Sequence, residues 1–157
     1  MGLGQTMETR FQDQGQTIYN FLDEFLVECP QCSACALVIT LAKNPEKISL
    51  FDQRRLVCQK CGHTSDWDRK TVATGGNIDP YFQLPLWLQT PCCGEMLWAY
   101  NHKHLNHLEK IVQAKLRENK LGPGPKKTMM TQLPAWIMSA KNRNEVLKGI
   151  AKLRSKE

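Results

Sequence analysis

The chain has 157 residues and a formal net charge of +6, and 41% of its residues are hydrophobic. This size suits one small domain with appendages rather than two full-sized domains. No apolar run approaches the ~20 residues that span a bilayer, and the N-terminus lacks the basic and apolar blocks of a secretory signal. We therefore expect a cytoplasmic protein without a membrane segment. In that reducing compartment, seven cysteines indicate metal ligands rather than a disulfide framework.

The positive charge is concentrated near the C-terminus. Residues 1–118 contain 12 Lys and Arg against 13 Asp and Glu, whereas residues 119–157 contain 9 against 2. A solvated lysine-rich tail and a patch for nucleic acid or another polyanion both account for this excess. The side chains that would form such a patch are Arg54, Arg55, Lys60, Arg69, Lys70, Lys126, Lys127, Lys141, Arg143, Lys148, Lys152 and Arg154.

The first half of the chain is predicted to be an arm followed by β-structure. Residues 1–16 are rich in Gly and Gln and indicate a loose arm. From Ile18 to Val27 the apolar density rises, which fits either one or two helical turns or a strand leading into Cys29. Apolar and β-branched runs then predict short strands. These strands lie at residues 36–41, 48–51, 54–58, 64–68 and 71–74.

The second half is predicted to be a hairpin followed by helices. Two apolar aromatic runs, residues 84–90 and 96–100, flank a tight link and predict a β-hairpin, called here the aromatic hairpin. Asn101 then caps a helix whose apolar positions 105, 108, 111, 112 and 116 form one buried stripe. Gly and Pro at residues 122–125 end that helix and act as a linker. A last helix is predicted within residues 135–154.

The strongest motif is a pair of C-x2-C sequences, Cys29 with Cys32 and Cys58 with Cys61, separated by 25 residues. Each C-x-x-C turn brings two sulfurs close enough to share an ion, and two turns supply the tetrahedral S4 set that suits Zn²⁺. Iron accepts the same ligands. A closed S4 site leaves no open position for a catalytic water. We therefore expect one structural Zn²⁺ ion and no enzymatic activity.

Alternatives to these four ligands stay open. Cys35 follows Cys32 after two residues and could replace Cys29, although Pro30 is typical of a metal-binding turn and favours Cys29. His63 lies two residues after the last cysteine of the motif and could substitute as a ligand.

A second metal site is also conceivable further along the chain. It would use the adjacent Cys92 and Cys93 with His104 and His107, because the two histidines are spaced i, i+3 on one predicted helix face. The other interpretation is that the cysteines fill a hairpin turn and the histidines line a helix surface.

Residues 29–32 and 58–62, with β-like sequence between them and Trp67 after them, resemble a zinc ribbon. Residues 84–108 resemble a group of uncharacterised bacterial zinc-ribbon proteins. The resemblance implies a structural metal and a small β-fold, but no single function, since ribbons serve as nucleic-acid clamps, docking surfaces or scaffolds.

The expected fold class is therefore α+β: a small β zinc ribbon extended by the aromatic hairpin and followed by two helices. Four regions are predicted. They are an N-terminal arm at 1–24, the ribbon with the hairpin at 25–100, a packed helix at 101–119, and a linker with a basic helical segment at 120–157.

The predicted function is a structural-zinc-binding module that contacts a macromolecule. Nucleic acid is the first candidate partner, through the basic side chains named above. The alternative is a protein-interaction or assembly factor that uses the aromatic hairpin and Trp136, because aromatic residues without neighbouring cations are typical of core or docking faces. No small-molecule substrate is inferred.

Overall fold

The computed structural model describes residues 10–119 and 127–156, which have the α+β architecture predicted from the sequence. In chain order the strands are β1 (Arg10–Asp13), β2 (Glu24–Glu28), β3 (Cys35–Thr40), β4 (Arg54–Val57), β5 (Thr64–Asp66), β6 (Leu88–Cys92), β7 (Glu95–Ala99) and β8 (Leu116–Asn119). The helices are α1 (His102–Gln113), α2 (Ala135–Met138) and α3 (Arg143–Arg154). Short 3-10 helices lie at Ile18–Phe21, Met130–Gln132 and Ala140–Asn142.

Strands β2 to β5 form a four-stranded antiparallel sheet, called here the ribbon sheet, in which neighbours in sequence are neighbours in space. The β2–β3 turn follows the pair Glu28–Cys35, and the β4–β5 turn follows the pair Val57–Thr64. Because successive strands run in opposite directions, both turns lie at the same end of the sheet. This topology brings the two C-x-x-C turns together.

Two of the predicted strands are wrong. Residues 48–49 and 71–74 have no regular structure, and residues 50–51 lie in a turn. In the first segment the Asp52 carboxylate accepts a hydrogen bond from the Ser49 N–H at 2.7 Å, and the Ser49 hydroxyl accepts one from the Phe51 N–H. Such local side-chain bonds compete with strand pairing and favour a turn.

The aromatic hairpin consists of β6 and β7, and it packs beside the ribbon sheet. Cys93 and Gly94 at its tip both have positive φ, as a two-residue type I′ turn requires. The Leu26 N–H donates to the Tyr100 carbonyl at 2.8 Å, which ties β2 to the end of the hairpin. Helix α1 then begins as predicted, because the Asn101 side chain accepts a hydrogen bond from the His104 N–H.

The prediction of a loose arm is wrong for the residues that the structure describes. Residues 10–13 form β1, which pairs in parallel with β8. Leu116, predicted as the last apolar position of a helix, lies in β8, since α1 ends at Gln113 and Ala114 is extended. The partners are distant in the chain, so no local sequence pattern indicates the pairing. The predicted linker at residues 122–125 lies outside the described residues.

The predicted C-terminal helix is interrupted rather than continuous. Helix α2 ends at Met138, and Ser139 caps the following 3-10 helix by accepting a hydrogen bond from the Lys141 N–H. Helix α3 buries Val146, Ile150 and Leu153 in the same apolar cluster as the hairpin and α1. Within residues 10–119 and 127–156, no helix combines the length and the apolarity needed to cross a membrane.

Candidate metal centre

The four cysteines of the two C-x2-C motifs meet at one end of the ribbon sheet. Their sulfurs all lie within 4.8 Å of one another. The Sγ atoms of Cys29 and Cys61 are 3.7 Å apart, and those of Cys32 and Cys58 are 3.6 Å apart. These distances are far longer than the ~2.05 Å of a disulfide bond. The four thiols, called here the tetrad, are therefore placed to share one metal ion.

The two cysteine turns have the same backbone hydrogen bonds. In the first turn the Cys29 N–H donates to the Ala34 carbonyl, and the Ser33 N–H donates to the Cys29 carbonyl. In the second, the Cys58 N–H donates to the His63 carbonyl, and the Gly62 N–H donates to the Cys58 carbonyl. Both turns close with a residue of positive φ, Gly62 at 80° and Ser33 at 63°. The serine therefore adopts the conformation that glycine adopts in the second turn.

The spacing of the sulfurs fits a tetrahedral metal ion. Four sulfurs about 2.3 Å from a shared Zn²⁺ ion lie about 3.8 Å from each other, close to the 3.6 and 3.7 Å observed. Cys29 and Cys58 are buried, Cys32 is half-buried and Cys61 is exposed. The ion would therefore lie at the margin of the core, and all of its ligands would come from the protein.

The turns also stabilise negative charge on sulfur. The N–H groups of Cys61 and Lys60 lower the pKa of the Cys58 thiol from 9.0 to about 6. The His63 N–H lowers the pKa of Cys61, but desolvation and the sulfurs of Cys32 and Cys58 outweigh it and raise that pKa to about 12. Four adjacent thiolates repel one another, so a divalent cation is the partner that lets all of them ionise.

The structure separates the alternative ligands from the tetrad. Cys35 begins β3 and packs against the cluster of apolar residues that contains the hairpin, whereas Cys29 and Cys58 belong to the cluster around Trp67. His63 provides its backbone carbonyl to the second turn. Within the described ranges, the tetrad is the one group of at least three His, Cys, Asp or Glu residues at ligand distance.

The residues of the second predicted metal site are not brought together. Cys92 is buried beside α3, where its thiol donates to the Glu145 carbonyl, and the Cys93 sulfur is 3.7 Å away. His104 accepts a hydrogen bond at Nδ1 from the Tyr100 N–H at 3.0 Å. His107 packs against aromatic rings near the N-terminus. The histidines are therefore parts of the core rather than of a ligand set.

The structure predicts that His104 stays neutral in the folded protein. Burial and the neighbouring His107 lower its pKa from 6.5 to about 3, and its Nδ1 already accepts a hydrogen bond. At a pH between these two pKa values, His104 takes up a proton only in the unfolded chain. Each pH unit of acidification therefore lowers the free energy of unfolding by about 1.4 kcal/mol. Urea denaturation of His104→Gln should show a shallower pH dependence than the wild type. An NMR titration with a His104 pKa near 6.5 would contradict this assignment.

The prediction that Arg54 contacts a polyanion is wrong, because this residue is 0% exposed. Its guanidinium donates to the Leu22 carbonyl, to Thr40 Oγ1 at 2.6 Å and to the Ser49 carbonyl at 2.9 Å. It also lies 4.4 Å from the centroid of the Tyr81 ring. Burial lowers the pKa of this arginine. Its role is to hold the ribbon sheet together at the end away from the tetrad.

Other predicted contact residues already have partners on the protein surface. Arg55 pairs with Asp66 at 2.7 Å, and Arg154 pairs with Glu109 at 2.8 Å. Arg143 donates to the Val112 carbonyl at 3.1 Å, and Arg69 lies over the Trp67 ring. Lys126 lies outside the described residues. The exposed lysines of the predicted set are Lys60, Lys70, Lys127, Lys141, Lys148 and Lys152.

Sequence reasoning missed the buried role of Arg54, although a signal was present. Residues alternate in a strand, so Arg54 shares a face with the apolar Leu56 while Arg55 points the other way. The observed burial follows that alternation.

The antiparallel sheet with paired cysteine turns at one end is compatible with the resemblance to a zinc ribbon. The cysteine tetrad supports a metal-binding module and could hold one ion. No protein-family model, curated protein or solved structure matches the chain.

Proposed function

We propose that this protein is a non-catalytic module that binds one structural Zn²⁺ ion through Cys29, Cys32, Cys58 and Cys61 and presents its basic C-terminal helix to a polyanion. The observation that supports the metal is the convergence of four sulfurs within 4.8 Å. Soft thiolate ligands in this number favour zinc over magnesium or calcium, and iron is the competing ion.

A structural role follows from the proposed coordination. Since the protein supplies all four ligands, no position remains for a water or a substrate on the ion. The ion would join two turns beside the cluster that buries Val38, Leu56 and Trp67. Holding those turns together would compensate for the small apolar core of the ribbon sheet.

Nucleic acid is the polyanion that we propose as the partner. Its support is the net charge of residues 119–157 together with the exposure of Lys148 and Lys152 on α3. These two lysines are one helical turn apart and therefore lie on the same side of the helix. The aromatic hairpin has fewer free side chains for a protein partner. Leu97 and Tyr100 are buried, and the Lys156 ammonium lies 4.4 Å from the Trp87 ring.

We expect duplex DNA binding that weakens steeply as salt rises. Each phosphate contact contributes about 0.9 to the slope of log K against log salt, so Lys148→Gln with Lys152→Gln should reduce the slope by about 1.8. Fluorescence anisotropy with a labelled duplex of about 20 base pairs measures this slope.

The matched control is Lys43→Gln with Lys47→Gln, which removes two exposed lysines from the β3–β4 connection. This double variant should bind like the wild type. Absence of binding at about 50 mM salt, or an equal effect of both double variants, would refute the proposed nucleic-acid contact.

A further inference from the structure

A cleft with a volume of about 640 Å³ lies beside the aromatic hairpin, and none of the tetrad cysteines lines it. Its walls include Met96 and Trp98 of β7, His104 of α1, and Leu133 and Trp136 from the segment around α2. Small-molecule sites commonly have volumes of about 300–1,000 Å³ and mostly apolar walls. The cleft therefore has the size and lining of a ligand site.

The interior of the cleft is aromatic. The ring centroids of Trp98 and Tyr100 are 5.2 Å apart, and those of Trp98 and His104 are 5.7 Å apart. Tyr19 and Met96, which also line the cleft, are 57% and 38% exposed. They are two of the few large apolar side chains that the described part of the chain exposes. Exposed apolar groups at the entrance of an aromatic cleft are typical of a surface that a ligand covers.

The buried polar group in the cleft is a hydrogen-bond donor. His104 is 2% exposed, and its Nδ1 accepts the Tyr100 N–H. In a neutral imidazole the other nitrogen, Nε2, then carries the hydrogen. The His104 ring lines the cleft. An occupant that brings an acceptor can therefore receive a hydrogen bond from the wall of the cleft.

We propose that this cleft binds a planar aromatic small molecule whose edge carries hydrogen-bond acceptors, such as carboxylate or carbonyl oxygens or a ring nitrogen. The rings of Trp98 and Trp136 provide faces for stacking, and His104 provides the donor. Both Glu95 and Lys127 line the cleft, so recognition rests on shape and on the acceptor rather than on net charge. This ligand site is independent of the proposed contact with nucleic acid.

The experiment is an NMR titration of the full-length, zinc-loaded, ¹⁵N-labelled protein with 2-naphthoate. Each of the four tryptophans of the chain should give its own indole N–H signal. Variants that each replace one tryptophan assign these signals. Trp98 and Trp136 should shift with a Kd of about 1 mM or below. Trp67, whose indole donates to the Thr71 carbonyl outside the cleft, should not shift. Cyclohexanecarboxylate, which has the acceptor but no aromatic face, should bind at least about tenfold more weakly.

Variants on both walls test the location. Trp98→Ala and Trp136→Ala should each weaken 2-naphthoate binding by about tenfold. Trp87→Ala, which removes the other half-buried tryptophan of the hairpin region, should leave it unchanged. The proposal is overturned if no signal saturates, if all four indoles shift alike, or if Trp87→Ala weakens binding as much as the variants within the cleft.

Discussion

Cys58→Ser is expected to release the metal ion and to unfold the ribbon sheet. Cys58 is 1% exposed and its sulfur lies 3.6 Å from that of Cys32, so a serine hydroxyl would replace a buried soft ligand with a poor one. Structural zinc sites contribute on the order of 10 kcal/mol to folding, which is comparable to the whole stability of a small domain. Zinc content and the dispersion of amide NMR signals measure the loss.

Cys35→Ser is the matched control for this variant. Cys35 is a half-buried cysteine next to the first turn, and its sulfur lies outside the tetrad. It should keep both the metal and the native spectrum. If Cys58→Ser keeps its fold after verified loss of the ion, or if Cys35→Ser loses the ion as readily, the tetrad is not the centre that holds the sheet.

Arg54→Met is expected to lower the free energy of unfolding by about 3–5 kcal/mol. Methionine fills part of the volume but donates no hydrogen bonds, so the carbonyls of Leu22 and Ser49 and the hydroxyl of Thr40 lose their buried donor. The contact with the face of the Tyr81 ring is lost as well. Urea denaturation of the zinc-loaded protein measures the change.

The neighbouring Arg55 provides an internal comparison. Its partner is Asp66, and both side chains are largely exposed. Solvent screens exposed ion pairs and leaves them a small contribution, so Arg55→Met should leave the free energy of unfolding nearly unchanged. Equal losses for the two variants would mean that Arg54 is not the buried anchor of the sheet.

The cysteine tetrad was predictable because its signal is local. A C-x-x-C turn places its two sulfurs by backbone geometry alone, and antiparallel strands of similar length bring two such turns to one end of a sheet. Ser33 shows the limit of that pattern. It occupies the position that Gly62 occupies in the second turn, and with a φ of 63° it closes the first turn in the same way. The N-cap at Asn101 was predictable for the same local reason.

The features that sequence reasoning missed depend on distant contacts. Residues 10–13 form strand β1 because they pair with β8, which follows helix α1 in the chain. Neither segment has a strong strand pattern of its own. Strand alternation separates Arg54 from Arg55, but which of the two faces is buried depends on the core that packs on one side of β4. The cleft likewise joins the hairpin, α1 and the segment around α2. No single stretch of sequence contains its aromatic lining.

X-ray absorption at the zinc edge, combined with elemental analysis of the full-length protein purified without added metal, addresses the metal centre most directly. We expect one zinc ion per chain surrounded by four sulfur atoms at about 2.3 Å. A stoichiometric iron content, a coordination shell containing nitrogen or oxygen, or a folded protein without bound metal would contradict the account.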